Sequence, residues 1–148
     1  GVKVKGCEKC KEFVPHLEKA TKEDWATEYG AKIISIKAVK DLFDAVAHIN
    51  IYGSGHTDCI ISEDKQAVDT FMNLVDSAGV FANVSTRFAD GYRYGLGAEV
   101  GISTAKTHAR GPVGLEGLVI YKYKLYGSGQ TVAPYADGKK TFIHQRII

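Results

Sequence analysis

The chain has 148 residues, 45% of them hydrophobic, enough to build one domain with a buried core and to argue against disorder. Lysine and arginine number 19 and aspartate and glutamate 17, a net charge of +2 with the signs interleaved, so nothing calls for a nucleic-acid or membrane partner. No apolar run approaches the roughly 20 residues that cross a bilayer, and Gly1-Val2-Lys3-Val4-Lys5 reads as neither signal nor transit peptide; a soluble, cytoplasmic protein is expected.

Val2 to Gly6 alternates apolar and basic residues and ends at a glycine, the pattern of a short strand. Cys7 and Cys10 follow as a C-x-x-C. This could be half of a zinc site, but zinc needs four ligands, no second cysteine pair follows, and the 5 histidines show no ligand spacing. A redox pair remains open; the plainer reading is that the two cysteines flank the start of a short helix or turn that Pro15 interrupts. Thr21-Lys22-Glu23-Asp24 has capping-box spacing and starts a turn presenting Trp25. Ile33 to Val39 is β-branched and apolar, a buried strand. Leu42, Ala45, Val46 and Ile49 then recur at helical spacing as far as Gly53.

The alternation repeats. A strand at Asp58 to Ile61 precedes a helix that Ser62 would cap, with Glu63 and Asp64 in its first turn and Ala67, Val68, Phe71, Leu74, Val75 and Ala78 on one apolar face. Val80 to Val84 is the next strand. Strands alternating with helices of this length predict an α/β fold with one mainly parallel sheet and crossover helices.

Between positions 85 and 117 the chain becomes glycine-rich, with Gly91, Gly95, Gly97, Gly101, Gly111, Gly114 and Gly117. Gly95-x-Gly97 does not complete a dinucleotide fingerprint, because Val100 stands where the third glycine belongs. Leu118 to Tyr126 alternates again, with Val119, Tyr121, Tyr123 and Leu125 on one side and Ile120, Lys122 and Lys124 on the other, as a strand would. From Gln130 the chain reads as a polar tail.

Three blocks carry a resemblance. The run from Val39-Lys40-Asp41-Leu42 through Gly53-Ser54-Gly55-His56-Thr57-Asp58-Cys59-Ile60 is similar to the signature region of γ-glutamyl phosphate reductases. Asn83-Val84-Ser85-Thr86-Arg87-Phe88 with Asp90-Gly91 and Gly95 to Thr104 resembles their glycine-rich block, and His108-Ala109-Arg110-Gly111-Pro112-Val113-Gly114-Leu115 the block after it. The likeness runs over about residues 1–127 and is to the C-terminal portion of that family, a branch of the aldehyde dehydrogenase superfamily.

The resemblance implies that residues 1–84 are part of a catalytic α/β domain, 85–117 a glycine-rich region returning toward the cofactor domain, and 118–148 an oligomerisation strand and tail. It implies an NADPH-dependent reduction of L-glutamyl 5-phosphate to L-glutamate 5-semialdehyde in proline biosynthesis, by a homo-oligomer. The attacking cysteine would lie upstream of these residues, so that none of Cys7, Cys10 and Cys59 is the nucleophile and the chain by itself is inactive.

Glu28, in Thr27-Glu28-Tyr29-Gly30, resembles the acid that holds the nicotinamide ribose in aldehyde dehydrogenases. It could equally be a solvated carboxylate ahead of a strand. Ser85, Thr86 and Arg87 follow a strand into the glycine-rich loop, and a guanidinium suits a substrate carrying carboxylate and phosphate. Arg87 is favoured over Arg93 and Arg110, and His56 reads as a structural histidine. A second functional class stays open: a stand-alone, non-catalytic domain that binds a partner through its C-terminal strand.

Overall fold

A computed structural model describes residues 1–144. The expected α/β alternation is present. Strand β1 (Lys3–Gly6) lies at the centre of a three-stranded parallel sheet between β2 (Glu18–Lys19) and β3 (Ile33–Ile36), with Lys3 opposite Ile33 and Gly6 opposite Ile36. Helix α1 (Glu8–Lys11) follows β1, with Cys7 at its N-cap. Helix α2 (Leu42–Tyr52) leads to β4 (Thr57–Ile60), and α3 (Lys65–Leu74) crosses over to β5 (Gly79–Ala82), which pairs with β4 in parallel.

Capping residues set the helix boundaries. The Asp41 carboxylate accepts the Asp44 N–H at 2.9 Å and starts α2. At the other end the Gly53 N–H reaches the Ile49 carbonyl at 2.7 Å, so close that a Cβ at position 53 would stand 2.6 Å from that oxygen. Helix α3 is capped by Asp64, which accepts from Gln66 N at 2.9 Å and Ala67 N at 3.2 Å, and not by Ser62 as expected. The Ser62 hydroxyl instead accepts the Asp64 N–H at 3.1 Å and shapes the turn two residues earlier. Both residue types cap helices and shape turns, and here the carboxylate takes the helix and the hydroxyl the turn.

Val46 of α2 and Phe71 and Val75 at the end of α3 form the core, packed against Leu42, Ile49, Ile60 and Val80. This core is small. Ile34 and Ile36 of β3 remain 50% and 43% exposed, and Phe43 and Ile51 of α2 face outward as well. Apolar area that would normally be covered on a parallel sheet is open here.

Two expectations need correction. The strands do not form one sheet: among the described residues the β2-β1-β3 sheet and the β4-β5 pair share no ladder, and the remaining pair is antiparallel, β6 (Gly101–Ser103) with β7 (Gly111–Val113). The strand expected from Leu118 to Tyr126 is also absent. A 3-10 turn covers Leu115–Leu118, and although Val119 is extended, residues 119–126 pair with nothing described, leaving Ile120 97% and Leu125 98% exposed. Alternation prepares both faces of a strand, but a strand also needs a partner for its backbone groups. The tail contributes helix α4 (Ala133–Ala136), with Tyr135 stacked on Phe142 at 4.6 Å; positions 145–148 of the expected tail lie outside the described residues.

Candidate functional site

A cleft of about 1090 Å³ opens where four segments meet: the turn carrying Trp25 to Glu28, the end of α2 with the approach to β4, the segment from Thr86 to Arg93, and the stretch from Glu99 to Thr104. Glu28, Thr86 and Arg87 all line it. Ser85 does not line the cleft but shapes its edge, because its hydroxyl accepts the Arg87 N–H at 3.2 Å and caps the 3-10 turn Thr86–Phe88. His56 is a lining residue whose Nδ1 lies 2.6 Å from the Thr57 hydroxyl.

The charges in the cleft fall into two groups. Asp90, Arg93 and Glu99 are engaged in holding the loop: Arg93 Nη1 donates to Asp90 Oδ2 at 2.6 Å and to the Arg87 carbonyl at 3.0 Å, while Glu99 accepts the Gly91 N–H at 3.1 Å. Asp90 also takes the Tyr92 N–H at 2.7 Å. Arg87 and Glu28, by contrast, make no ion pair among the described residues. A free guanidinium offers a planar fork to a carboxylate or phosphate, and a free carboxylate accepts from hydroxyls. Arg110 lies elsewhere, donating to the Asp76 carbonyl at 2.9 Å and its carboxylate at 3.1 Å.

The turn bearing Glu28 is anchored from behind. Asp24, only 7% exposed, accepts from Lys5 Nζ at 2.6 Å, Thr21 N at 2.8 Å, Tyr29 Oη at 2.8 Å and Thr21 Oγ1 at 3.0 Å. Lys5 first, and then the Thr21 N–H and Tyr29 hydroxyl, hold its carboxyl far below the usual carboxylate range. Trp25 meets His48 edge-on at 5.6 Å, and His48 lies against Tyr52 at 4.8 Å. Burial, with Lys37 adding to it, lowers the His48 pKa, and Lys37 Nζ donates to its Nδ1 at 3.0 Å. Trp25 and Tyr52 both line the cleft, so this stack braces its wall.

Sequence reasoning passed over Asp90, Arg93 and Glu99 as a unit. The D-x-x-R spacing of the first two was a usable signal, because residues three apart on a tight turn can pair. The Glu99 contact to a backbone N–H eight residues earlier left no pattern to find. None of the three cysteines lines the cleft, and among the described residues no group of three or more His, Cys, Asp or Glu could hold a metal ion. Nor, among those residues, is any helix long and apolar enough to cross a membrane.

No protein-family model matches the chain. It is 62% identical over 147 residues to a γ-glutamyl phosphate reductase of Acaryochloris marina and 56% identical over 146 residues to one of Acetivibrio thermocellus, in each case 99% of this chain and 34% of the relative. The crystal structure of a γ-glutamyl phosphate reductase from Thermotoga maritima superposes with a TM-score of 0.84 at 47% identity, over 88% of this chain and 32% of that one. The chain thus spans about a third of the length of the curated relatives it matches.

Proposed function

We propose that the chain is the C-terminal third of a γ-glutamyl phosphate reductase, an oxidoreductase converting L-glutamyl 5-phosphate to L-glutamate 5-semialdehyde and phosphate in proline biosynthesis. The observation that carries this reading is the 62% identity to such a reductase across 99% of the chain. Its open apolar faces support the same reading. Ile34, Ile36, Phe43 and Ile51 are surfaces that the rest of an aldehyde dehydrogenase-like enzyme would cover, since parallel sheets are normally buried on both sides.

The lining of the cleft is chemically suited to the ligands of that reaction. Glu28, with no ion pair among the described residues, is a fitting acceptor for the hydroxyls of a nicotinamide ribose. NADPH, when bound to the complete enzyme, supplies the hydride. Arg87 takes the substrate's carboxylate or phosphate in a bidentate grip, Thr86 adds a hydroxyl beside it, and Ser85 fixes the backbone that aims both. The attacking thiolate comes from a cysteine outside this chain, and the three cysteines here take no part in acyl transfer. The isolated chain therefore turns over no substrate. The complete enzyme works in the cytoplasm as a homo-oligomer, with residues 119–126 joining an intersubunit sheet.

A chimera tests the proposal. The matching third of the Acaryochloris marina reductase is replaced by this chain, and the product is introduced into a proline auxotroph lacking its own reductase. Growth without proline, together with NADP-dependent oxidation of glutamate 5-semialdehyde in the presence of phosphate, is the expected result. A soluble, folded chimera that supports neither would overturn it. A stand-alone self-associating domain is the second reading, favoured by the exposure of the segment containing Ile120 and Leu125. Both readings allow the isolated chain to self-associate; the second alone predicts a soluble, folded chimera that is inactive.

A further inference from the structure

We infer that Cys7 and Cys10 are a redox-active dithiol that a small-molecule disulfide such as oxidised glutathione converts to an intramolecular disulfide. The two sulfurs, three residues apart in the chain, stand 3.5 Å from each other across one turn, and both residues are partly exposed. Both are also tethered to the same neighbouring segment. The Ala38 N–H donates to Cys7 Sγ at 3.3 Å, Cys10 Sγ donates to the Ile36 carbonyl at 3.5 Å, and the Cys7 N–H reaches the same carbonyl at 3.1 Å. These contacts hold the sulfurs facing each other, so that only a small closure separates them from a bond of about 2 Å.

The contacts also divide the roles. Cys7 sulfur is an acceptor, an arrangement that favours its thiolate, and the Ala38 N–H chiefly lowers its pKa from the ordinary thiol value. Cys10 sulfur, by contrast, is the donor in its contact with the Ile36 carbonyl, which leaves it to act second. Cys59 is a contrast within the same chain: its thiol donates to the Val84 carbonyl at 3.1 Å, and it has no sulfur partner among the described residues.

In the reaction, the Cys7 thiolate attacks one sulfur of the reagent, breaking its S–S bond and releasing the first thiolate. Cys10 gives its proton to solvent and attacks the Cys7 sulfur, breaking the mixed disulfide and releasing the second. The protein's two thiols are oxidised, the reagent is reduced to two thiols, and no other reactant is needed. The pair is separate from the cleft residues, and the inference does not rest on the activity proposed above.

The test equilibrates the reduced chain with glutathione disulfide at neutral pH and reads intact mass and peptide maps. Expected is the loss of one hydrogen from each of Cys7 and Cys10 with a peptide cross-link between them, in the wild type and in Cys59→Ser alike. Cys10→Ser and Cys10→Ala should instead accumulate glutathione on Cys7. Iodoacetamide should label Cys7 ahead of Cys59. Glutathione adducts persisting on both Cys7 and Cys10 of the wild type would overturn the inference, as would both remaining free thiols. So would a cross-link forming as fast in urea as in the folded chain, because the native geometry would then contribute nothing.

Discussion

The side-chain amide of Asn83 pairs with both backbone groups of Ser62, donating to its carbonyl at 2.8 Å and accepting its N–H at 2.9 Å. Asn83 follows β5 and Ser62 follows β4, so one residue closes the parallel pair beyond its last ladder bond, where the Asn83 N–H reaches the Ile60 carbonyl at 2.8 Å. Its backbone is left-handed, with φ at 54°, a conformation asparagine tolerates better than most residues. Asn83→Ala should lose both side-chain bonds and keep the strained backbone, at a cost of about 1–3 kcal/mol. Asn83→Gly should relieve the backbone while losing the same bonds, and so cost less. Urea midpoints rank the two, and an alanine variant as stable as the glycine variant would contradict the backbone part of the argument.

Asp24 predicts an acid limit. Its folded-state pKa is depressed, first by Lys5, so the stability it contributes is complete above the unfolded value near 3.9 and drains away as pH falls below that toward the lowered value. Lys5 has the opposite sign. Asp24 raises its pKa, so its contribution is present below about 10.4 and is lost only as pH rises past that. Asp24→Asn should therefore flatten the fall of stability at acid pH and lower the plateau near neutrality. Thermal unfolding across the acid range checks this, and an unchanged acid slope would mean that other carboxylates dominate.

The alternation of apolar runs and capping residues made β1, β3, β4, β5 and the two longer helices legible in the sequence, because each is defined by its own side chains. What escaped depends on contacts between distant residues. Strand β2 is only Glu18 and Lys19, both exposed, and exists because Lys5 and Gly6 lie opposite them. The β6–β7 ladder hides in glycine-rich sequence, where Gly101, Pro112 and Gly111 give no strand pattern. The arm from 119 to 126 failed in the reverse direction, with a good pattern and no partner. In the cleft, the motifs that singled out Glu28, Thr86 and Arg87 could not show that the chain brings them to one cavity, nor that Arg93 is occupied by Asp90.

Arg87 and Arg93 should behave differently in the complete chimera. On the proposed role of Arg87 in binding substrate, Arg87→Ala should lower kcat/KM by roughly 10- to 100-fold, mostly through KM, with little change in stability. Arg87→Lys keeps the charge but loses the planar fork, and should recover only part of that. Arg93→Ala should instead loosen the loop, since it frees Asp90 and the Arg87 carbonyl. Its signature is a fall in thermal stability along with activity. Equal kinetic effects without a stability difference would remove the distinction between binding and positioning.

The final prediction concerns association. Tyr121 and Tyr123 meet edge to face at 5.5 Å with their planes 80° apart, in a segment that pairs with nothing among the described residues. Tyr121 is 82% and Tyr123 89% exposed, and Val119 and Leu125, also exposed, continue the same alternation in the sequence. Open backbone groups next to exposed apolar area favour strand addition, and a second copy of the arm offers the same pattern. The chain should therefore self-associate, and the dissociation should move with concentration. Replacing Tyr121 and Tyr123 together with lysine would bury unpaired charge in any such sheet, a cost of several kcal/mol that should shift sedimentation toward monomer. Because both side chains are exposed in the single chain, the double variant should fold as the wild type does, with an unchanged circular dichroism spectrum. A wild-type chain that stays monomeric at every concentration, or a double variant that sediments as the wild type does, would mean that the arm serves no association of this kind.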